Sequence, residues 1–500
     1  MYTLRARRPL VLLAVLGLVA ACSGGGDITD SGEKPTTPTQ APAETLAPGD
    51  SAVATTTTVA PDLLPDCPTG ALASATGTTE ITFWHGMSAA LGEEIVKLTD
   101  AYNASQDKVK VNLVQGSYEE TADNYYLAGQ DARPDLVQLP EYQVQAMVDT
   151  HSTVPVGKCV EASGFDTSAF LPTALGAYTT QGVQWSMPFN ISNPVLFYNK
   201  KVFVAAGLDP DKPPQSLDEM RQFSQQIVDS GAAKYGVALE SGFDSGGGWY
   251  VEQWFCKAQE FYVDGDNGRT SRATKVLYNN QTGVDLLTYL QQSLQDGLAV
   301  NVGDNTQTGF DNLLKLADEK EPAAMTIATS ASLGQVLVVL ASDQFKQLGP
   351  DDVGVGPMPG PDGKPGALIG GASLWPVDSG DDVRTAATWD FITYLVGAQQ
   401  QSQWAAATGY IPVRTDAVDL EPYKTTLATD PRFSVAYAQL AASPDALTSS
   451  GPVVGPLREI RSVLATAVAA IFDGADVQTI LDGAANQATG LIADYNSRNS

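Results

Sequence analysis

The chain has 500 residues, which suggests two or three folding units at roughly 100 to 200 residues each. Hydrophobic residues at 43% against charged residues at 17% supply apolar surface for real cores and exclude wholesale disorder. Twenty-nine Lys and Arg against 57 Asp and Glu leave a net charge of −28, a field that repels phosphate backbones and excludes nucleic-acid binding as a main function. With His85 and His151 the only histidines, a His-rich metal site cannot be assembled, and a histidine-dependent hydrolase has two candidates for its base.

Taken in chain order, Arg5, Arg7 and Arg8 precede an apolar run from Leu10 to Ala21. The run is shorter than the roughly 20 residues needed to span a bilayer, so residues 1–21 read as an export signal. Val19-Ala20-Ala21-Cys22 followed by Ser23-Gly24-Gly25-Gly26 resembles the lipobox of bacterial lipoproteins. That resemblance implies lipidation at Cys22 and anchoring at the extracytoplasmic face of the cell membrane. Residues 22–66, rich in Thr, Pro and Ala, cannot bury enough apolar area to offset the cost of ordering their backbone and read as a disordered tether. Cys67, Cys159 and Cys256 then face an oxidising compartment, where one disulfide and one free thiol fit an odd count. Three pairings are possible. The polar surroundings of Cys67 and Cys159 favour that pair, whereas Cys256 follows Trp254-Phe255 and reads as a small buried hydrophobe.

Strand and helix signals alternate from about residue 78, which predicts α/β architecture. Ile81-Thr82-Phe83 reads as a strand, and Ile95, Leu98 and Tyr102 recur at helical spacing. Val109, Val111 and Leu113 alternate with polar neighbours as in a half-buried strand. Ser216-Leu217-Asp218-Glu219 is a capping box opening a helix through Met220, Phe223 and Ile227 that stops at Gly231. Leu457, Ile460, Leu464, Val468 and Ile471 outline a long amphipathic helix entered through Gly455-Pro456.

Two motifs invite enzymatic readings. Asp244-Ser245-Gly246-Gly247 echoes the nucleophile segment of chymotrypsin-like serine proteases, but neither histidine lies in a matching segment, and a glycine-rich turn is the better reading. Gly354-Val355-Gly356-Pro357 resembles a phosphate loop only superficially, because Pro357 and Pro359 remove amide donors and Gly363-Lys364 lacks the following Ser or Thr. No nucleotide, cofactor or metal is expected.

Phe83-Trp84-His85-Gly86-Met87 and Gly116-Ser117-Tyr118-Glu119 resemble the opening of bacterial extracellular solute-binding proteins of ABC importers. The resemblance continues in order through Pro188-Phe189-Asn190-Ile191-Ser192, Ala206-Gly207-Leu208-Asp209-Pro210, Ala324-Met325-Thr326, Ile369-Gly370-Gly371-Ala372 and Thr408-Gly409-Tyr410-Ile411-Pro412. It spans roughly residues 80 to 495, and several segments are similar to the branch that binds glycerol-3-phosphate and glycerophosphodiesters. It implies an α/β, two-lobe periplasmic-binding-protein-like fold with a hinge of several chain crossings. The expected division is 67–185 plus 323–372 for the first lobe and 186–322 plus 373–500 for the second. It also implies a monomer without enzymatic activity that hands ligand to a membrane permease driven by a separate ATPase.

Carried over residue by residue, the resemblance implies ligand contacts at Tyr118, Glu141, Ser192, Trp249, Thr329, Gly371, Tyr410 and Arg461. Arg461 offers a planar fork of donors for phosphate. Hydroxyls of Tyr118, Ser192, Thr329 and Tyr410 and the Gly371 amide suit phosphate or glycerol, Glu141 suits glycerol hydroxyls, and Trp249 and the tyrosines suit glycerol carbons or a choline cation. A second tryptophan that the family carries three residues before the position of Trp249 is replaced here by Gly246. That predicts room for a phosphate substituent and favours glycerophosphocholine over glycerol-3-phosphate. An oligosaccharide ligand on the same fold, and a secreted hydrolase using Ser245, are the alternatives.

Overall fold

The computed structural model describes residues 64–305, 309–342, 345 and 347–499, so the export signal, Cys22 and nearly all of the tether lie outside the described residues. Cys67 and Cys159 are joined by a disulfide, and Cys256 is free and buried. Among the described residues no helix is long and apolar enough to cross a membrane.

The alternation at Ile81 and Phe83 and at Val109 and Val111 turns these side chains into the core, and the two segments form parallel strands β1 (Thr79–His85) and β2 (Val109–Gln115). β3 (Leu136–Pro140) lies on the other side of β1. A short hairpin, β4 (Thr179–Thr180) and β5 (Val183–Gln184), precedes β6 (Met187–Ser192) and β7 (Pro194–Asn199). β8 (Tyr235–Leu239), β9 (Ala299–Asn301), β10 (Ala323–Thr329), β11 (Val353–Pro357) and β12 (Gly370–Pro376) complete the strands. They assemble into two five-stranded sheets, ordered β2-β1-β3-β12-β6 and β11-β7-β10-β8-β9. Each sheet is the centre of one α/β lobe.

One residue, Asn193, separates β6 of the first sheet from β7 of the second. It is fully buried and pinned: its Nδ2 donates to the Ala436 carbonyl (2.9 Å), its Oδ1 accepts from Gln439 Nε2 (3.1 Å), and its amide donates to Ser330 Oγ (3.3 Å). The chain crosses again between β11 and β12, and a third time ahead of the helix Leu457–Phe472, which packs on the helices Gln281–Gln295 and Val477–Arg498. These crossings form the hinge.

The lobe boundaries differ from the sequence expectation. β10 and β11, within the 323–372 segment assigned to the first lobe, pair with β7 and β8 in the second. β6, assigned to the second lobe, pairs with β12 in the first. The helices Asp382–Leu395 and Ala398–Thr408 pack on the first lobe, where Phe391 meets Phe83 and Tyr102. The physical reason is that β6, β7, β10 and β12 are almost continuously buried, so periodicity marks them as strands without indicating which sheet they join.

The capping box at Ser216 forms as read, with Ser216 Oγ accepting from the Glu219 amide (3.1 Å) and Gly231 closing the helix Leu217–Ser230 in the left-handed region (φ 71°). Pro456 occupies the position just before the helix Leu457–Phe472 rather than its first turn.

Candidate functional site

The first-lobe wall of the interlobe region starts from another capping box, in which Ser117 and Glu120 satisfy each other's amides (3.1 and 2.8 Å). This cap fixes the start of the helix Tyr118–Leu127 and lays the Tyr118 ring over Gly86, where a Cβ would come within 2.3 Å of ring carbon Cδ1. A chain of neutral hydrogen bonds follows. The Gly86 amide donates to Gln138 Oε1 (3.0 Å), Gln138 Nε2 donates to Asn190 Oδ1 (2.7 Å), and Asn190 Nδ2 donates to the Tyr118 hydroxyl (2.8 Å). Burial, reinforced by the neighbouring Tyr410 phenol, pushes the Tyr118 hydroxyl well above the usual phenol range. Tyr410 itself stacks on Trp404 at 5.8 Å and 25°. Gly371 takes φ +96°, and a Cβ there would lie 2.0 Å from the Asn190 carbonyl, so only glycine lets β12 approach β6 at this point. Ser192, paired with Gly370, is buried next to it.

The second-lobe wall is charged. Its turn from Gly242 to Gly248 folds back on β8, and Cβ atoms on Gly246, Gly247 and Gly248 would sit 1.8, 2.2 and 1.9 Å from the carbonyls of Glu240, Ser241 and Phe243. These glycines are required by the close approach of backbone to backbone. The turn delivers Trp249 to the first residue of the helix Trp249–Ala258. Trp249 leans on Gly370 of the first sheet, where a Cβ would meet its ring at 2.4 Å, and its indole N–H has no hydrogen-bond partner among the described residues.

One turn further along the same helix, Glu252 grips Arg461 with both oxygens, to Nε and to Nη2 at 2.7 Å each. Arg461 Nη2 also reaches Glu141 Oε1 of the first lobe (3.0 Å), and its guanidinium lies 5.3 Å from the centre of the Tyr142 ring. Both Arg461 and Glu252 have side chains 2% exposed. Burial opposes the charge on Arg461, but Glu252 and Glu141 outweigh it and hold the guanidinium above its ordinary range. Burial raises the Glu141 carboxyl, with Arg461 pulling against that and Glu252 adding to it. Burial likewise raises Asp244, whose charge is felt by the same Arg461. A pocket of about 20 Å³ lies against Glu141, Glu252, Arg461, Arg269 and Leu368. Ligand sites for drug-sized molecules run to about 300 Å³ or more, well above this volume.

The structure thus brings seven of the eight residues implied by sequence to the interlobe region: Tyr118, Ser192, Gly371, Tyr410 and the Gly370-facing Trp249 in one group, Glu141 and Arg461 in another. Thr329 ends β10 opposite Pro194, beside the Asn193 crossing, its hydroxyl accepting from the Ala331 amide (3.3 Å). Arg461 is not a free cation awaiting phosphate, since it is already paired to two carboxylates. Gly246 does not open the site either; its missing side chain points at backbone, which overturns the size argument based on its spacing. Ser245 Oγ points at the Gly242 carbonyl (3.4 Å) and no histidine hydrogen bond reaches it among the described residues, so the serine-hydrolase motif is only a turn. Sequence reasoning missed Glu252, Asn190 and Gln138. Their signal was a polar residue inside an apolar run, as in Trp249-Tyr250-Val251-Glu252 and Phe189-Asn190-Ile191.

Residues 97–433 match the family model described as bacterial extracellular solute-binding protein. The chain is 30% identical over 440 residues to the sn-glycerol-3-phosphate-binding periplasmic protein UgpB of Pectobacterium atrosepticum, covering 85% of this chain and 93% of the relative. It is 28% identical over 439 residues to the protein of the same name from Escherichia coli, covering 85% and 95%. Among solved structures, UgpB from Mycobacterium tuberculosis in complex with glycerophosphocholine superposes with a TM-score of 0.68 at 22% identity, covering 84% of this chain and all of that one. The cyclic alpha-maltosyl-1,6-maltose binding protein of Arthrobacter globiformis superposes with a TM-score of 0.66, also at 22% identity, covering 83% and 99%.

Proposed function

The chain belongs to the bacterial extracellular solute-binding proteins, which bind substrate for ABC importers and are not enzymes, and from that premise we propose that its ligand is a zwitterionic glycerophosphodiester such as glycerophosphocholine. The observation that carries this reading is the charge balance around Arg461, one guanidinium against the carboxylates of Glu252 and Glu141. A dianionic phosphomonoester would face Glu252 across the shared guanidinium. One extra unit charge at about 5 Å and an effective dielectric constant of about 20 costs about 3 kcal/mol. A phosphodiester carries one charge fewer, and its choline arm adds a cation that Glu141 attracts.

Arg461 supplies the donor. Nε and Nη2 are taken by the carboxylates, and Nη1 has no protein acceptor among the described residues, so a diester oxygen can bind there without displacing Glu252. The phenol faces of Tyr118, Tyr142 and Tyr410 suit the trimethylammonium group, and the unpartnered Trp249 N–H suits a glycerol oxygen. The relatives named for glycerol-3-phosphate support a phosphorylated glycerol as the ligand class, and the neighbour holding glycerophosphocholine supports the diester.

Calorimetric titration of purified protein against glycerophosphocholine, glycerol-3-phosphate and a maltodextrin tests the reading. Glycerophosphocholine is expected to bind at least tenfold more tightly than glycerol-3-phosphate. Equal or tighter glycerol-3-phosphate binding overturns the diester, and binding of maltodextrin alone replaces the ligand class with an oligosaccharide. The lipid anchor is part of the proposal: Cys22→Ala is expected to move the protein from the membrane fraction to the soluble fraction with ligand binding intact, and continued lipid labelling of that variant refutes it.

A further inference from the structure

Lys257 is a buried cation that the ligand site does not use. It lies in the last turn of the helix Trp249–Ala258 and is 3% exposed. Its ammonium makes no ion pair and no hydrogen bond with any described residue. A buried lysine without a carboxylate partner is rare, because desolvating the charge costs several kcal/mol when nothing repays it. Here burial draws the amine down to about 8, and the helix C-terminus favours a positive charge.

The surroundings are shaped around this side chain. A Cβ on Gly360 would lie 2.6 Å from Lys257 Cδ, and Gly366, at φ +149°, passes Lys257 Cα at 3.4 Å from the position of its absent Cβ. The two glycines leave a slot for the lysine stem. Beyond the slot is a cavity of about 390 Å³ lined by Lys257, Met358, Lys364, Val435, Ala438 and Gln439. The other polar groups there are engaged. Gln439 Oε1 accepts from the Met358 amide (2.7 Å), while its Nε2 donates to Asn193 Oδ1 and the Pro194 carbonyl (3.1 and 2.9 Å). Lys364 pairs with Asp362 (2.8 Å), and Ser434 Oγ donates to the Pro431 carbonyl (2.6 Å). What remains in the lining is the uncommitted Lys257 among the apolar side chains of Met358, Val435, Ala438 and Ala442.

We propose that this cavity is a second ligand site, separate from the interlobe region, that takes a short aliphatic monocarboxylate, with the carboxylate on Lys257 and the hydrocarbon against Val435, Ala438 and Met358. A single ammonium matches a single negative charge. The apolar walls reward a hydrocarbon tail and give a phosphate dianion nothing to replace its water, and the −28 charge of the chain further disfavours multivalent anions.

The test uses the intact protein and hexanoate, with hexanamide as the uncharged control, followed by NMR titration. Hexanoate is expected to bind in fast exchange at least tenfold more tightly than hexanamide, with glycerophosphocholine failing to displace it. Lys257→Met, with unchanged circular dichroism, is expected to weaken hexanoate binding at least tenfold. Should that variant not fold, acetic anhydride labelling of the native protein decides: saturating hexanoate is expected to slow acetylation of Lys257 at least threefold relative to Lys364. Absence of hexanoate binding, equal binding of hexanamide, displacement by glycerophosphocholine, undiminished binding by a folded Lys257→Met, or unprotected labelling each overturns the proposal.

Discussion

The two walls of the interlobe region are built on opposite principles. On the first lobe, Gly86, Gln138, Asn190 and Tyr118 form a neutral relay in which each group satisfies the next. On the second, Arg461 and Glu252 are buried and joined at two points, with Glu141 reaching across from the first lobe. A neutral relay fixes geometry and is indifferent to the ligand's charge. A charged cluster with more carboxylates than cations selects by charge. On the proposed function, position is set mainly by the first lobe and discrimination mainly by the second.

The largest effect should come from breaking the charged wall. Arg461→Ala leaves Glu252 and part of Glu141 buried without a counter-ion, and removing one partner of a buried pair typically costs about 3–5 kcal/mol. Urea denaturation should show a loss of that size together with loss of ligand binding. A loss below about 1 kcal/mol would mean that the cluster contributes no more than a surface pair.

Next in size are two pH effects of opposite sign, one beneath each wall. His85, at the end of β1, is buried and its imidazole is drawn down to about 4 from 6.5. The unfolded chain therefore binds a proton between pH 6.5 and 4 that the folded chain refuses, and stability falls as pH drops through that window. Glu240, just past β8, is pushed up to about 8 by burial, and its Oε2 has no hydrogen-bond partner among the described residues. It keeps its proton when folded and loses it above 4.5 when unfolded, so its contribution falls as pH rises from 4.5 to 8. At full extent the His85 effect is on the order of 3 kcal/mol and the Glu240 effect on the order of 5 kcal/mol. Thermal denaturation at stepped pH should show His85→Phe flattening the acid side and Glu240→Gln flattening the alkaline side. Either variant flattening the opposite side would sink the assignment.

A smaller effect sharpens the idea that discrimination lies in the charged wall. Glu252→Gln keeps the shape and a hydrogen bond to Arg461 but removes one negative charge, so binding of glycerol-3-phosphate should strengthen about tenfold, or about 1.4 kcal/mol, relative to glycerophosphocholine. An unchanged ratio in paired calorimetric titrations would place discrimination elsewhere.

How much of this was legible in the sequence depends on the range of each interaction. The capping box at Ser216, the helix stop at Gly231 and the alternation in β1 and β2 are local, and they stand as read. Sheet membership of β6 and β10 was misassigned because their buried runs carry no record of their partners. The ordered segments located Arg461 and Glu141, but the pairing of Arg461 with Glu252, 209 residues away, is invisible to any local pattern. Gly246 misled for a related reason: spacing suggested an open position, whereas the carbonyl of Glu240 fills the space where its side chain would start.

The smallest expected effect lies at the rim, where the walls meet outside the cluster. Arg272 of the second lobe grips Asp149 of the first through Nη1 and Nη2 (3.0 and 2.6 Å), and Tyr495 donates its hydroxyl to the same carboxylate (2.8 Å). The Arg272 side chain is 21% exposed and Asp149 keeps Tyr495 and Gln145 as donors, so Arg272→Ala should cost only about 1 kcal/mol of stability. Its effect on the lobes should be easier to see, because an ion pair between lobes acts on the opening equilibrium and not within either core. In small-angle scattering the variant without ligand should be more expanded than the native protein, and saturating glycerophosphocholine should bring the two to the same radius. A stability loss approaching that of Arg461→Ala, with no change in radius, would make Arg272 part of the folded core and leave the cluster at Arg461 as the contact that holds the walls together.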